Sequence, residues 1–284
     1  MGESHAPDFL AVGHVTRDVL PDGGYTLGGT VSYAALTAAR LGCRAAVFTS
    51  APADLGVSVA LRNVETHIVP SSRATTFENI YHGRSRQQYV HAVATPLQLE
   101  MLPAAWRTVP IVLLAPVVHE LALDWLGAFP AGLIGATPQG WLREWDDDGR
   151  VRFHRWGQAS RAFSEVDVLI FSEEDVGGEE AVVQEYARLA KMAVVTRGPK
   201  GATLFSADGA RDFAAFRAKE VDPTGAGDVF AAAFMVRLHE TGDAGAAAMF
   251  ANCAASLSVE GAGMSAVPDR SQVEERLRRE ELLG

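Results

Sequence analysis

The sequence predicts an α/β fold, a mostly parallel sheet with helices on both faces. Three observations predict it. Short apolar runs of strand length alternate with helix-patterned segments along most of the 284 residues, which is the rhythm of a parallel sheet covered on both sides. One pair of alternating strands, near residues 75–95, breaks that rhythm and reads as an insertion. A glycine-rich string, "VDPTGAGDVFAAAF" from Val221 to Phe234, opens a long run of small apolar residues with the composition of a buried helix.

In chain order, "DFLAVGHV" (Asp8 to Val15) is the first strand, followed by the mixed stretch "TRDVLPDGGYTLGG". A helix is expected over "TVSYAALTAARLG", with Thr30 or Ser32 near its start and Gly42 past its end. "RAAVFTSAP" is a strand, "ADLGVSVALRN" a helix and "ETHIVP" a strand. "TTFENIYH" and "RQQYVHAV" are the inserted hairpin, turning at Gly83 and Arg84. Period-two alternation puts Phe77, Asn79 and Tyr81 on one face, and Thr76, Glu78, Ile80 and His82 on the other. "PIVLLAPV" is a buried strand, "ELALDWLGAF" a helix, and "AGLIGATPQGWLR" a strand running into a loop. "EWDDDGRVRFHRW" is polar and expected to be exposed, its tryptophans anchoring a loop or packing a pocket edge. "VDVLIFSEEDV" is strand then loop, "EEAVVQEYARLA" a helix, and "MAVVTRGPKGATLFSADG" strand, loop, strand. Two or three helices close the chain, the last of them amphipathic. One domain spanning residues 1–284, with residues 75–95 as an inserted hairpin, is the expected organisation.

Composition narrows the function. The chain is 48% hydrophobic and 21% charged, with a net charge of −10 and no Lys/Arg-rich block. Nucleic acid and anionic membranes are therefore not expected partners. Cys43 and Cys253 are the only cysteines, too few for a disulfide framework or a zinc site alone. The N-terminus lacks a basic-then-apolar leader, and prolines and charges interrupt the most apolar window, so a cytoplasmic protein without a membrane span is the expectation.

The junction at Val221–Phe234 carries chemistry. A helix N-terminus presents unpaired N–H groups and the positive end of the helix dipole. Gly225, Ala226 and Gly227 let an anion approach that backbone closely. Asp228 follows at once. A carboxylate repels a resting phosphate, but it suits a hydroxyl that loses its proton while attacking one. The string thus combines an anion hole with a general base. The plain alternative is a tight turn with Asp228 as a cap. Neither a Walker GxxxxGK[ST] loop nor a strand-linked GxGxxG is present. His119-Glu120 and His239-Glu240 do not extend to HExxH, and no Gly-x-Ser-x-Gly elbow occurs.

Read whole, the sequence resembles the ribokinase-like (PfkB) carbohydrate and nucleoside kinases, over nearly the full chain and in the expected order. "DPTGAGDVFAAAF" is similar to that family's C-terminal signature, and "TLGGTVSYAALTAARLG" (Thr26 to Gly42) to its N-terminal one. "VVTRGPKGATLF" resembles the nucleotide-side segment, and "ANCAASLSVEGAG" a late helix near the base. The resemblance implies a three-layer α/β/α fold with a small β-sheet lid, with ATP and Mg²⁺ as cofactors and a monovalent cation as a further one. It implies Asp228 as catalytic base, with the amides of Gly225, Ala226 and Gly227 as anion hole. Asp18 would bind acceptor hydroxyls, Gly28 and Gly29 would form the hinge beside the acceptor, and Asn79, Tyr81 and Gln88 would reach in from the lid. Thr196, Gly198, Gly201, Thr224 and Asn252 would line the nucleotide site. Arg84 and Arg86 stand at the lid tip, as phosphate contacts on closure or as plain surface arginines.

One departure stands out. Where the family carries Asn-x-x-Glu to organise magnesium, this chain has Ser172-Glu173-Glu174-Asp175, leaving Asp175, with Glu174 as substitute, for the metal. The implied activity is phosphorylation of a hydroxyl on a sugar, a cyclitol like myo-inositol, or a nucleoside. "GHVTRDVL" together with the lid strands resembles the inositol-kinase-like branch. A binding protein of the same fold without turnover is the rival, which the altered Ser172–Asp175 string favours and Asp228 opposes. An exposed lid edge makes a lid-to-lid homodimer an expected arrangement.

Overall fold

The computed structural model describes residues 6–82 and 85–281. The expected turn at Gly83 and Arg84 lies outside them, and the side chains of Tyr81, His82 and Arg86 are not described. The chain opens with β1 (Phe9–Val12), β2 (Thr16–Val19), β3 (Tyr25–Gly28), α1 (Thr30–Arg40), β4 (Ala45–Ala51), the single-turn α2 (Val57–Ala60) and β5 (Glu65–Pro70). There follow β6 (Thr75–His82), β7 (Ser85–Ala92), β8 (Ile111–Leu114), β9 (Leu133–Ala136), β10 (Arg143–Trp145), β11 (Val151–Phe153) and α3 (Ala159–Glu165). The last part runs β12 (Val168–Ser172), α4 (Glu180–Leu189), β13 (Ala193–Thr196), β14 (Ala202–Ser206), β15 (Gly209–Phe213), α5 (Ala226–Thr241), α6 (Ala244–Ser258) and α7 (Arg270–Glu281).

Nine strands form the central sheet, in the order β15-β14-β13-β12-β9-β8-β1-β4-β5. From β13 to β5 every pairing is parallel, and β14 and β15 add an antiparallel edge. Alternate residues of one strand feed opposite layers. Phe9 and Ala11 of β1 enter a core shared with α1, α5 and α6, whereas Leu10 and Val12 enter one built with Trp106, Trp125, Phe163 and Tyr186. Both faces are therefore buried, which explains why these strands read as unbroken apolar runs. Val229 to Val236 of α5 are at most 1% exposed, because that helix lies between the sheet, α1 and α6. A helix covered on all sides needs no polar stripe.

The second sheet, β3-β2-β6-β7, stands apart from the first. Two of its strands, β6 and β7, are the expected hairpin. Its other half refines the sequence reading: "TRDVLPDGGYTLGG" is itself a hairpin, β2 and β3, with Asp18 opposite Thr26 and beside Phe77 of β6. Phe77 is buried and Ile80 exposed, so the face carrying Phe77 and Asn79 points inward.

Other expectations shift for local reasons. Left-handed Gly56 (φ 74°) divides "ADLGVSVALRN" into two short turns. Leu121 pairs with Leu97 in a parallel bridge, leaving the expected helix only a tight turn over Leu123–Gly127 before Pro130. The "exposed" stretch "EWDDDGRVRFHRW" contributes the hairpin β10–β11. Asp146 closes its turn, accepting from Arg150 N at 2.9 Å and from Arg152 Nη2 at 2.7 Å. Gly149 O accepts from Val90 N at 2.8 Å, so this hairpin docks on the lid edge. Gly149 sits at φ 81°, and a Cβ there would overlap Val90 O. The tryptophans anchor it, Trp141 on Trp156 and Trp145 on His119, each pair with centroids 5.0 Å apart. Among the described residues no helix is long and apolar enough to cross a membrane.

Candidate active site

The site grows from the N-terminus of α5. Gly225 caps that helix in the left-handed region, at φ 79°, where an L-residue is strained. A Cβ there would also overlap the Tyr33 ring of α1. The preceding loop is held by Asp222, whose carboxylate accepts from Thr224 N at 2.9 Å and from Gly263 N at 3.0 Å. Burial works against that charge, yet bonds from Thr224 and Gly263 prevail and keep the group below the usual carboxylate pKa. Gly227 lies in the first turn of α5, where an N–H has no intrahelical acceptor. The Ala226 N–H turns back on Pro223 O at 3.2 Å, so it joins an anion hole only by sharing or releasing that turn.

Asp228 sits in the same turn. It is half-buried, not walled off in the interior. Burial pushes its carboxyl up to about 7, and the neighbouring Asp175 and Asp18 carboxylates add to the rise. A hydrogen bond from Thr30 and the charge of Arg143 oppose it. Tyr33, buried against three carboxylates (Asp228, Asp222 and Asp18), has its phenol pushed up as well, burial being the larger cause. Four segments distant in sequence thus converge: the lid root (Asp18), the start of α1 (Thr30, Tyr33), the turn after β12 (Asp175) and the start of α5.

Asp18, expected to bind acceptor hydroxyls, accepts at Oδ1 from the Thr16 hydroxyl at 2.9 Å. Gly28 lies opposite Thr16, and a Cβ on it would overlap the Asp18 carboxylate. Gly29, at φ 88°, caps α1 and would press a Cβ on His14 O. The two glycines therefore let β3 turn straight into α1 beneath Asp18. Asn79 and Gln88 face each other across β6 and β7, with Gln88 Nε2 donating to Asn79 Oδ1 at 3.0 Å.

Of the residues expected to line a nucleotide site, Thr196 ends β13 beside Ser172 of β12. Gly198 and Gly201 bound the next turn at φ 55° and 94°, and a Cβ on Gly201 would overlap Phe213 O. Asn252 is buried, its amide donating to Phe213 O at 3.1 Å and Ala214 O at 3.3 Å. It fixes the chain after β15. Ser172 and Asp175 form a capping box: the Ser172 hydroxyl accepts from Glu174 N at 3.1 Å, and Asp175 Oδ2 accepts from Ser172 N at 2.8 Å. Glu174 is exposed. Among the described residues no three His, Cys, Asp or Glu gather into a metal cage.

Sequence reasoning missed Arg143, Thr30, Tyr33 and Asp222. Asp222 stands inside the quoted junction and was legible as the start of an Asx turn. Arg143 carries no local signal: it opens β10, and its charge acts on Asp228, far away in sequence.

Residues 155–270 match the family model described as pfkB family carbohydrate kinase. Over 84 residues, 29% of this chain and 29% of the relative's length, the chain is 44% identical to the ribokinase of Bacillus subtilis. It is 26% identical over 253 residues to the cytidine kinase of Thermococcus kodakarensis, covering 80% of this chain and 87% of that one. The fold is shared with a pyrophosphate-dependent kinase in the ribokinase family, complexed with a pyrophosphate analog and myo-inositol, at TM-score 0.79 and 23% identity over 94% of this chain and 99% of that one. It is shared too with Arabidopsis thaliana ribokinase complexed with ribose and ATP, at TM-score 0.70 and 20% identity over 96% and 99%. The chain thus shares the ribokinase fold, three layers with a small lid sheet, and within it residues 155–270 are similar to the pfkB family carbohydrate kinases.

Proposed function

We propose that this protein is an ATP-dependent kinase for a hydroxyl group of a small polyol: a sugar, a cyclitol or a nucleoside. The single observation that carries this reading is Asp228, a half-buried carboxylate in the first turn of α5 with its pKa raised to about 7. A base poised near neutrality beside first-turn amides suits phosphoryl transfer to an alcohol. Residues 1–284 act as one domain, with the hairpin at 75–95 as part of the lid.

The acceptor hydroxyls bond to Asp18, while the inward Asn79 and Gln88 select among acceptors. Asp228 receives the proton of the attacking hydroxyl as the new O–P bond forms and the bond to the leaving group breaks. The amides of Gly225 and Gly227, joined by Ala226 when its turn opens, receive the transferred group, a positioning role more than a basic one. Lid closure excludes water that would otherwise accept the phosphoryl group.

Asp175 offers one carboxylate edge, with Glu174 as an exposed neighbour. That donor set fits a magnesium ion held mainly by phosphate oxygens and water, as Mg²⁺ prefers. When bound, the ion would neutralise phosphate charge. A monovalent cation is an additional expectation from the family resemblance.

The acceptor class is supported by the names of relatives: myo-inositol in one structural neighbour, cytidine and ribose in others. ATP is supported by the ribokinase complexed with it. Pyrophosphate is a second reading of the donor. The pyrophosphate-dependent neighbour superposes more closely than that ribokinase, at 0.79 against 0.70, and the Asn252 amide, expected near a base, is committed to backbone carbonyls. The test is a phosphorylation screen with Mg²⁺ across myo-inositol, ribose, fructose, ketodeoxygluconate and common nucleosides, run with ATP and with pyrophosphate. Turnover abolished in Asp228→Asn supports the kinase reading. Ligand binding with no turnover on any acceptor and either donor supports the binding-protein rival.

A further inference from the structure

The chain passes between the main body and the lid sheet four times: into β2 after β1, out of β3 into α1, into β6 after β5, and out of β7. All four passages meet at His14, which is fully buried. His14 lies on the first passage itself. Its carbonyl oxygen runs so close to Gly29, on the second, that a Cβ there would lie 2.6 Å away. Its ring reaches the other two. Nδ1 is 2.8 Å from the hydroxyl of Thr75, which opens β6, and Nε2 is 2.9 Å from the carbonyl oxygen of Thr95, just after β7.

These partners fix the roles of the ring nitrogens. A carbonyl only accepts, so Nε2 carries the hydrogen and donates to Thr95. In the neutral ring Nδ1 then accepts from the Thr75 hydroxyl, whose oxygen accepts in turn from Ala94 N at 3.0 Å. Ring and hydroxyl are thus fully paired, and bonds made away from water are costly to leave unmade. The backbone of His14 is anchored as well. Its N–H donates to Glu120 Oε1 at 2.9 Å, and the same buried carboxylate accepts from Val117 N and Val118 N at 2.8–2.9 Å. Val117 and Val118 form, with Phe77 and Val90 of the lid, the small apolar cluster on which the lid rests. One carboxylate therefore holds both the junction of the passages and the seat of the lid.

The residues that would meet an acceptor fan out from this junction. Asp18 lies four residues beyond His14 on β2, and Asn79 four residues beyond Thr75 on β6, with Gln88 opposite on β7. β2 and β6 run parallel from Thr16 and Thr75, so a slip at the junction carries Asp18 out of line with Asn79. We propose that His14 is a positioning residue for the acceptor: its ring locks the four passages together, so that Asp18 and the Asn79–Gln88 pair move over the acceptor as one unit pivoting at this point. The effect on turnover rests on the kinase reading, and the lock itself does not.

The test uses the full-length protein. His14→Phe fills the space and removes both ring bonds. Thr75→Val removes the partner of Nδ1 alone, and Thr75→Ser retains it. In hydrogen exchange without substrates, β2, β6 and β7 of His14→Phe and Thr75→Val exchange about tenfold faster or more than in wild type, while β1 and β8 keep their protection and Thr75→Ser matches wild type. Nitrogen-15 NMR of the His14 imidazole shows Nε2 as the protonated nitrogen. With the acceptor and donor found in the screen, Thr75→Val raises acceptor KM about tenfold or more and leaves donor KM within about twofold. It also cleaves more donor per acceptor phosphorylated, since a loosened lid admits water, and Thr75→Ser restores each of these values. Unchanged exchange of β6 and β7 in Thr75→Val, faster exchange across the whole molecule, or a ring protonated at Nδ1 alone overturns the lock. A loosened lid with acceptor and donor KM altered equally, or not at all, overturns the positioning role. If His14→Phe does not fold, the two Thr75 variants decide. If wild type turns over no acceptor, the kinase reading fails while exchange and NMR still decide for or against the lock.

Discussion

Thr30, directly after the Gly28-Gly29 pair, hydrogen-bonds the Asp228 carboxylate. This joins the Gly28-Gly29 turn to the first turn of α5 through one hydroxyl. Asp228 is otherwise pressed towards its neutral form by burial and by Asp175 and Asp18, with Arg143 as the opposing charge and the Tyr33 ring alongside. With the carboxyl raised to about 7, a base that must be ionised gives a kcat/KM that falls about tenfold per pH unit below that value. Thr30→Val removes a bond that holds the group down, so the acid limb of the profile moves to higher pH, by about one unit. A limb that stays in place, or moves to lower pH, contradicts the assignment of Asp228 as the titrating base.

Asp228→Asn keeps the shape of the site and removes the proton acceptor. We expect kcat to fall by about 10²–10⁴ while acceptor affinity, measured by calorimetry, is retained. Stability changes in the opposite direction. A carboxyl whose folded pKa lies above its unfolded value contributes stability below pH about 4, and that contribution is lost as pH rises through about 7. Asparagine removes the penalty. Asp228→Asn therefore unfolds at higher denaturant than wild type at pH 8, by up to about 2 kcal/mol after allowance for the group's partial exposure. The difference shrinks towards pH 5. Equal stability at both pH values contradicts the raised pKa.

Gly225 is needed twice over, for its left-handed backbone and for the closeness of Tyr33. Gly225→Ala should lose about 2–4 kcal/mol in chemical denaturation and most of its activity. Gly242, left-handed at the other end of α5 with open space around it, separates the two causes. Gly242→Ala carries the backbone strain alone and should lose only about 1–2 kcal/mol, with kcat near wild type.

Asn79 and Gln88 pair across the inward face of the lid. Asn79→Leu deletes the acceptor of that bond and presents an alkyl face to a polyol. Acceptor KM should rise about tenfold or more, while KM for the donor stays within twofold. An equal effect on both substrates would mean that the pair stabilises the lid and does not read the acceptor.

How much was legible in the sequence follows from where each signal is stored. The α/β/α layering was readable because strands buried on both faces are apolar throughout, as Phe9–Val12 and Ile111–Leu114 are. The start of α5 was readable because a left-handed cap demands glycine at Gly225. Residues 16–29 read only as a mixed stretch because Asp18, Asp22 and the Gly23-Gly24 pair hide a short half-exposed hairpin whose pairing with β6 is non-local. Arg143 was invisible for the same reason. Its hairpin is polar by composition, and its position is set by Val117, His119 and Val90, residues 24 to 53 positions away.

Asp175 has two separable duties. Its carboxylate closes the capping box with Ser172, and its charge reaches Asp228. Asp175→Asn keeps a side-chain oxygen for the Ser172 N–H, so unfolding free energy should stay within about 1 kcal/mol of wild type. The charge is lost, and two results follow. With less repulsion on Asp228, the acid limb of kcat/KM moves to lower pH. If Asp175 also orients a hydrated magnesium ion, the Mg²⁺ concentration for half-maximal activity rises about tenfold or more, and chelation with EDTA abolishes turnover in both proteins. A shifted pH profile with an unchanged Mg²⁺ requirement would confine Asp175 to electrostatics and leave the metal to phosphate and water. An unchanged profile would mean that its charge does not reach the base in solution.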